Sequence, residues 1–220
     1  MNKELLLHIE TSAKMCSVSL SSNRIIIDCI EEIEDKYIHS EKLTVFIQEI
    51  LRNNNLKLND LMAMSISIGP GSYTGLRIGL STAKALSFAG NIPLIPLNSL
   101  EILLQCENQF EKNRIALIDA RRMEVYALGK NQKQEIIVEL NPYIIDENSF
   151  ENLEPFIAIG DAMKKLKEVW RKRKNIGYSS VEHISSKFQS LLAYDSIQSG
   201  KKYSLSEINP EYIKSFKIQH

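Results

Sequence analysis

The alternation of hydrophobic and polar positions predicts that the chain begins with a meander of three strands. Residues 4–9 form a strongly apolar segment, residues 16–20 alternate with a period of two, and residues 24–30 are rich in isoleucine. Polar turns separate these segments, as expected for short antiparallel strands. After an acidic link, hydrophobic residues recur at helical spacing, and Ser40 can cap the helix that they form. These helix positions are Leu43, Phe46, Ile47, Ile50 and Leu51.

A second apolar run, Leu61 to Ile68, predicts a buried strand that leads into a glycine-rich loop and a helix from about Thr74 to Phe88. Helical spacing makes most of this helix apolar and leaves a narrow polar strip. The strip consists of Arg77, Ser81 and Lys84. Such a helix needs cover on two sides. Its own sheet provides one cover, and either the preceding helix or another subunit provides the other.

The second half of the chain repeats this order in outline. Strands are expected at residues 114–118, 125–128 and 135–140, and a fourth at 156–159 leads through Gly160 into a helix. A polar and charged stretch near residue 108 separates the two halves. The pattern therefore predicts an α/β protein of two lobes, residues 1–108 and 109–220, each with a mixed sheet and helices.

Composition narrows the classes of function. Of 220 residues, 44% are hydrophobic, and 27 basic residues balance 27 acidic ones, so no global field attracts nucleic acid or a membrane. No apolar run approaches the roughly 18 residues of a membrane span, and no cleavage-like leader is present, so we expect a cytoplasmic protein. Seven basic residues between Lys164 and Lys174 are a local exception. They form either a solvated helix face or a contact for RNA phosphate.

Metal and thiol chemistry have little support in the sequence. The three cysteines lack metal or redox spacing, and the four histidines form no close pair of the kind that binds zinc. We therefore expect no metal site. His39 stands at the start of the first helix, where it either fixes the helix entry or serves as a ligand or catalytic imidazole.

The loop from Gly69 to Gly79 is a candidate anion site, because glycines allow close backbone approach and a helix start offers unpaired N–H groups. It lacks the Gly-Lys pair of a P-loop. The ribose-binding carboxylate that a dinucleotide-binding fold places after the next strand is also missing. The turn Glu10-Thr11-Ser12 carries hydroxyl groups and can either hold a phosphate or serve only as a turn.

Five segments carry a family resemblance: Ile9–Ser12, Tyr37–Glu41, Gly69–Gly79, Asp119–Tyr126 and Pro210–Lys214. Together they closely resemble the TsaB family of bacterial tRNA threonylcarbamoyladenosine biosynthesis proteins. The glycine motif is long and specific; the first half matches nearly throughout and the second at scattered points. The resemblance implies the two-lobed actin/Hsp70/sugar-kinase-like, or ribonuclease H-like, fold. It also implies a noncatalytic subunit, without catalytic residues or cofactor, of the complex that transfers threonylcarbamoyl to the adenosine next to the tRNA anticodon.

The resemblance further implies the partners. A TsaD-like catalytic subunit binds the first two helices, a TsaE-like ATPase joins the complex, and tRNA is reached through it; alone, the chain forms a homodimer on the same surface. The implied partner-binding residues are His39, Leu43, Phe46, Ile47, Leu76, Arg77, Leu80, Ala83 and Lys84. The glycine loop comprises Gly69, Gly71, Ser72, Thr74 and Gly75.

The phosphate turns of the fold are expected only as relics. They are represented by Glu10, Thr11, Ser12 and Asp119. Arg121 stands where the nucleotide-binding pattern of the second turn needs a glycine, which crowds that turn. Two competing interpretations remain, a stand-alone actin-like-fold ATPase or sugar kinase, and a structural homodimer.

Overall fold

The computed structural model describes residues 4–33, 39–109 and 111–213. Tyr37, Ile38 and Lys214, which belong to the motifs that resemble the TsaB family, lie outside these residues. The strands are β1 Leu5–Glu10, β2 Met15–Ser22, β3 Ile25–Ile33, β4 Ala63–Gly69, β5 Leu94–Asn98, β6 Asn113–Asp119, β7 Glu124–Lys130, β8 Ile136–Ile144, β9 Phe156–Ile159 and β10 Ile176–Tyr178. The α-helices are α1 His39–Asn53, α2 Tyr73–Gly90, α3 Ser99–Gln105, α4 Met163–Val169 and α5 Gln189–Gln198.

The strands form two mixed sheets with the same topology. The first has the order β3-β2-β1-β4-β5. The second, read from the corresponding edge, has the order β8-β7-β6-β9-β10, so the strands correspond one to one. In each sheet the first three strands pair antiparallel and the last two add in parallel. The repeat confirms the two-lobed, mixed-sheet α/β fold of the actin and sugar-kinase type.

Helices pack on the sheets because apolar side chains lie on both faces of each sheet and must be covered. Residues of α1 and α2 pack on the first sheet in one core, which includes Leu43, Ile50 and Leu80. A second core joins both sheets to α3 and α5. On the far side of the second sheet, α4 packs through Met163 and Leu166. Helices α1 and α2 therefore lie at one end of the molecule and α4 at the other.

The C-terminal part of the chain returns to the first lobe. Gln189, the first residue of α5, donates hydrogen bonds to the carbonyl of Ile9 at 2.7 Å and to the carboxylate of Glu10 at 3.2 Å. Ile208 belongs to the core of the first sheet. The C-terminal part of the predicted second lobe, residues 109–220, therefore packs on the first sheet as well as on the second.

Among the described residues, none of the helices has the length and apolar character needed to cross a membrane.

Candidate functional site

The glycine loop joins β4 to α2 and places the helix on the turn that follows β1. Ser72 caps the helix, and its hydroxyl accepts a hydrogen bond from the Gly75 N–H at 3.2 Å. A Cβ added at Gly71 would lie 2.3 Å from the Ser12 carbonyl oxygen, and one at Gly75 would lie 2.1 Å from the Thr11 carbonyl oxygen. The glycines therefore serve close packing between helix and turn, whereas Thr74 is exposed.

The first turn is sealed by the groups around it. Its Glu10, Thr11 and Ser12 are all buried. The Ser12 N–H, a donor that a phosphate would use, instead donates to the Glu10 carboxylate at 2.7 Å. The Thr11 hydroxyl donates to the Gly75 carbonyl at 2.9 Å, and the Ser12 carbonyl accepts from the Ser72 N–H at 2.7 Å. With α2 seated against it, the turn has no room for a phosphate on that side.

Glu10 is held inside the protein by hydrogen bonds rather than by a cation. Ser67 donates to its carboxylate at 2.7 Å, in addition to the Ser12 N–H and Gln189. Burial raises the pKa of Glu10, and these hydrogen bonds oppose the shift. The three donors satisfy this buried carboxylate.

Polar side chains also fill the space between the first sheet and α5. The hydroxyl of Ser186 lies 2.7 Å from that of Ser17 and 2.9 Å from that of Ser19. His8 is fully buried between two serine hydroxyls at 2.7 and 2.8 Å, and burial lowers its pKa to about 3. This face of the first sheet is thus occupied by the chain's own hydrogen bonds.

The second turn, after β6, is open but its carboxylate is already neutralised. Asp119 is exposed, and its carboxylate lies 2.5 Å from the Lys165 ammonium and accepts the Arg121 N–H at 2.7 Å. Arg121 and Arg122 have φ of +69° and +49°, a backbone conformation that favours glycine. Both arginine side chains are exposed. The turn therefore displays positive charge where the nucleotide-binding pattern needs a close approach.

Most of the residues expected to bind a partner belong to the chain's own core. Seven of the nine are buried: His39, Leu43, Phe46, Ile47, Leu76, Leu80 and Ala83. These seven side chains pack on the first sheet and the sealed turn, so they lie outside the free surface that α1 and α2 present. Arg77 is exposed and Lys84 is partly exposed.

His39 ties the start of α1 to the sealed turn. Its Nε2 lies 2.8 Å from the Ala13 carbonyl oxygen, and its ring packs beside Gly75. Burial lowers the pKa of His39. The buried ring and its backbone partner agree with the interpretation that His39 fixes the helix entry.

The outward side of α2 is a continuous exposed stripe. It is formed by Arg77, Ser81, Ala85, Phe88 and Ala89, which follow one another at helical spacing. The side chain of Phe88 is 82% exposed. On α1, Val45 is an exposed apolar residue. Small residues in the middle of the stripe leave the helix backbone accessible to close packing by another protein.

Two tyrosines fix the guanidinium at the start of this stripe. The Arg77 Cζ lies 3.9 Å from the centroid of the Tyr73 ring, and its Nε donates to the Tyr212 hydroxyl at 2.9 Å. Tyr212 is held in place because the neighbouring Glu211 bonds to the Ile68 carbonyl and to the Asn98 side chain, each at 2.7 Å. The C-terminal segment thus extends the exposed stripe. The stripe together with Tyr73 and Tyr212 is called the α2 surface.

Comparisons with known proteins decide the family. A family model described as tRNA N6-adenosine threonylcarbamoyltransferase, TsaD, matches residues 36–208. The chain belongs to the TsaD/TsaB family. The TsaB protein of Buchnera aphidicola subsp. Schizaphis graminum is 29% identical over 175 residues, which are 74% of this chain and 81% of the relative.

Further relatives confirm the resemblance to TsaB. The TsaB protein of Haemophilus influenzae is 37% identical over 123 residues, 55% of this chain and 51% of the relative, so the match spans about half of that protein. YeaZ from Pseudomonas aeruginosa shares the fold, with a TM-score of 0.79 at 21% identity over 95% of this chain and 99% of that one.

In this TsaB-family chain, the sequence analysis did not predict the exposed aromatic residues of the α2 surface. Tyr73, Phe88 and Tyr212 are all exposed, whereas the leucines that the family resemblance implied as partner-binding residues are buried. The terminal motif that contains Tyr212 is the one sequence feature that could have indicated the cluster of Tyr73 and Tyr212 around Arg77. Within the described ranges, His, Cys, Asp and Glu side chains form no group of three or more that could hold a metal ion.

Proposed function

We propose that this TsaB-family chain is the noncatalytic subunit of the complex that transfers threonylcarbamoyl to tRNA, and that it binds and stabilises a TsaD-like catalytic subunit. The observation that carries the proposal is the exposed stripe of α2, which lies on the outer side of a helix whose inner side seals the phosphate turn. One helix thus closes a nucleotide site and presents a surface to another protein.

The sealed turn supports a noncatalytic role. Phosphate binding there would need the Ser12 N–H, but Glu10 accepts it at 2.7 Å. Phosphate binding would also need space that α2 occupies at Gly75 and Gly71. A stand-alone ATPase or sugar kinase, the competing function, requires that turn to open. Isothermal titration with Mg-ATP tests this directly: we expect no heat of binding, and micromolar affinity of the isolated chain would contradict the noncatalytic role.

The chemistry of the stripe fits a protein partner. Arginine and aromatic residues dominate the binding energy of interfaces, and Arg77, Tyr73 and Phe88 provide both kinds at its two ends. The ring of Tyr73 and the hydroxyl of Tyr212 hold the guanidinium in place before binding. A partner therefore meets a positioned cation, which is suited to a carboxylate, beside an apolar helix face.

Substitution of Phe88 tests the surface. Phe88→Glu places a charge at the exposed end of α2, and we expect it to weaken association with the TsaD-like subunit by at least about tenfold, since a carboxylate desolvated in an interface is strongly unfavourable. Ile144→Glu is a matched control, because Ile144 is also 82% exposed but lies on β8 of the second lobe.

Copurification and analytical ultracentrifugation measure association, and a tRNA modification assay with and without each variant measures function. Full association of the Phe88 variant, or equal loss in both variants, would contradict the α2 surface. The same sedimentation experiment on the chain alone tests the homodimer, which we propose forms through this surface when the partner is absent.

The wider assembly is also part of the proposal. We expect a TsaE-like ATPase to bind the pair rather than the isolated chain, tRNA to be engaged through the complex, and the protein to act in the cytoplasm. Omission of the ATPase or of this chain from the modification assay should each reduce the modified tRNA, and an undiminished yield without this chain would contradict its role.

A further inference from the structure

The basic run of the second lobe divides into two groups in the structure. Three of the seven side chains form ion pairs: Lys165 with Asp119, Arg171 with Glu168, and Arg173 with Glu154. Lys165 and Arg173 also donate to backbone carbonyls of other segments, so both hold the lobe together. These three residues contribute little net charge to the surface.

The other four lysines point to solvent. They are Lys164, Lys167, Lys172 and Lys174, all exposed and without an ion pair in the part of the chain that the structure describes. The Lys167 ammonium lies 5.4 Å from the centroid of the Tyr178 ring, a contact that leaves its charge in place. Burial of Leu166 and Trp170 in the core of the second sheet fixes the opposite side of α4 and its C-terminus. The four lysines therefore lie on α4 and the loop after it, on residues that the core leaves exposed.

Two arginines extend the same surface. The Lys165 ammonium donates to the Arg122 carbonyl at 3.0 Å, which fastens the turn between β6 and β7 against α4. Arg121 and Arg122 are exposed in that turn, next to the first half of α4 where Lys164 lies. Acidic residues reduce the local charge at both ends of α4. Asp161 lies at its start, where its carboxylate accepts the Asp119 N–H at 2.8 Å, and the exposed Asp146 and Glu147 belong to a segment whose carbonyls accept hydrogen bonds from Trp170 and Arg173.

The protein has no net charge, but its charged side chains are distributed unevenly over the surface. The chain has as many acidic as basic residues, so a surface that concentrates unpaired cations leaves the rest of the molecule correspondingly negative. Such an arrangement attracts a polyanion in one orientation. Lysines are depleted in the cores of protein interfaces, whereas they neutralise phosphates well, so the composition favours nucleic acid over an acidic protein.

We propose that Arg121, Arg122, Lys164, Lys167, Lys172 and Lys174, together the α4 cationic surface, bind the phosphate backbone of RNA. This inference rests on the proposed function, in which the RNA is tRNA held by the complex. Helix α4 covers the outer face of the second sheet, while α1 and α2 cover the outer face of the first. A TsaD-like subunit on α2 therefore leaves the α4 cationic surface free for RNA.

Binding of an unmodified tRNA transcript tests the proposal, with fluorescence anisotropy measured over a range of KCl concentrations. The protein is the full chain, alone and paired with its TsaD-like subunit. The test variant carries Arg122→Glu, Lys164→Glu and Lys172→Glu. The control carries Lys112→Glu, Lys133→Glu and Lys202→Glu, which change three exposed lysines outside the surface and give the same net charge.

Each phosphate contact contributes about 0.7–0.9 to the slope of log affinity against log salt. We therefore expect the test variant to lose about two units of slope and at least about tenfold in affinity at about 0.1 M KCl, whereas the control retains most of both. A second variant with glutamine at the same three positions should show a smaller loss in the same direction.

Pairing with the TsaD-like subunit is measured on the same samples. Loss of tRNA affinity with pairing retained supports the α4 cationic surface. Equal losses in test and control variants, or competition by poly-L-glutamate as effective as that by tRNA, would overturn RNA specificity of the surface. Loss of pairing in the glutamine variant would contradict the inference that the α4 cationic surface is separate from the surface that binds the TsaD-like subunit. Failure of wild-type pairing would contradict the proposed function instead, and the tRNA affinity of the chain alone would still decide the RNA surface.

Discussion

The contact between α2 and Thr11 gives a prediction that depends on individual atoms. A Cβ at Gly79 would lie 2.1 Å from the Thr11 hydroxyl oxygen, whereas one at Gly75 would lie 2.1 Å from the Thr11 carbonyl oxygen. The first clash involves a side chain and the second involves the backbone. Removing the Thr11 hydroxyl can therefore relieve only the first.

The size of each effect follows from the geometry. Either alanine must open its contact by more than about 1 Å, and overpacking of this kind costs about 3 kcal/mol. Alanine gains about 1 kcal/mol over glycine in a helix, which leaves a net loss of about 2 kcal/mol. For a chain of this size the melting temperature should fall by about 4–8 °C.

Two double-mutant cycles separate the clashes. Thr11→Ala alone should cost about 1 kcal/mol, because its hydrogen bond to the Gly75 carbonyl is lost. Combined with Gly79→Ala it should recover about 3 kcal/mol, the cost of the clash, since the new methyl group occupies the vacated space. Combined with Gly75→Ala it should recover none, because the carbonyl oxygen remains.

Urea unfolding of the singles and doubles provides the free energies. Gly90→Ala is the control within the same helix, because its Cβ would meet only the flexible ends of Ile92 and Leu58. We expect that variant to change stability by less than about 1 kcal/mol. Equal coupling energies in the two cycles, or a rescue of the Gly75 variant, would refute the packing of α2 on this turn.

Three further predictions concern the surface, the buried polar layer and the core. Tyr212→Ala removes the hydroxyl that holds Arg77 and should weaken association with a TsaD-like subunit by about tenfold in biolayer interferometry; unchanged affinity would remove the tyrosine cluster from the interface. Burial lowers the pKa of His8 from 6.5 to about 3. As the pH falls, His8 is therefore protonated in the unfolded chain before it is protonated in the folded one. The His8 contribution to the free energy of unfolding should fall by about 1.4 kcal/mol per pH unit between about pH 6 and pH 4. Burial raises the pKa of Glu10, which opposes this trend, so the measured quantity is the difference in slope between wild type and His8→Gln; identical slopes would contradict a neutral, buried His8. Leu80→Glu should unfold the first lobe instead of only blocking the partner, because Leu80 is in the core, and a native circular dichroism spectrum with a native melting temperature would contradict that placement.

The sequence was sufficient for the order of elements but not for the orientation of α2. The strand before Gly69, the glycine loop and the helix after it lie where the pattern placed them. The helix is apolar on two faces, and periodicity reports a face without identifying its neighbour. The family resemblance implied Leu76 and Leu80 as partner-binding residues, but both are buried, and Phe88 occupies the exposed side.

Long-range polar contacts could not be read from local patterns either. Gln189 reaches Glu10 from a position 179 residues later in the chain, and Arg77 meets Tyr212 across 135 residues. Neither pair has a spacing signal, because hydrogen bonds between distant segments depend on how the lobes fold back on each other. The basic run was visible in the sequence, but only the structure separates its ion-paired members from the exposed ones.

The return of the C-terminal segment to the first sheet also orders events during synthesis. Gln189 and Ile208 complete the first lobe, and the Tyr194 hydroxyl donates to the carbonyl of Glu4. During synthesis on a ribosome, these contacts of the first lobe cannot form until the C-terminal residues have been made. All strands of the second sheet, between residues 113 and 178, are made before those residues. The part of the protein made first is thus the part completed last.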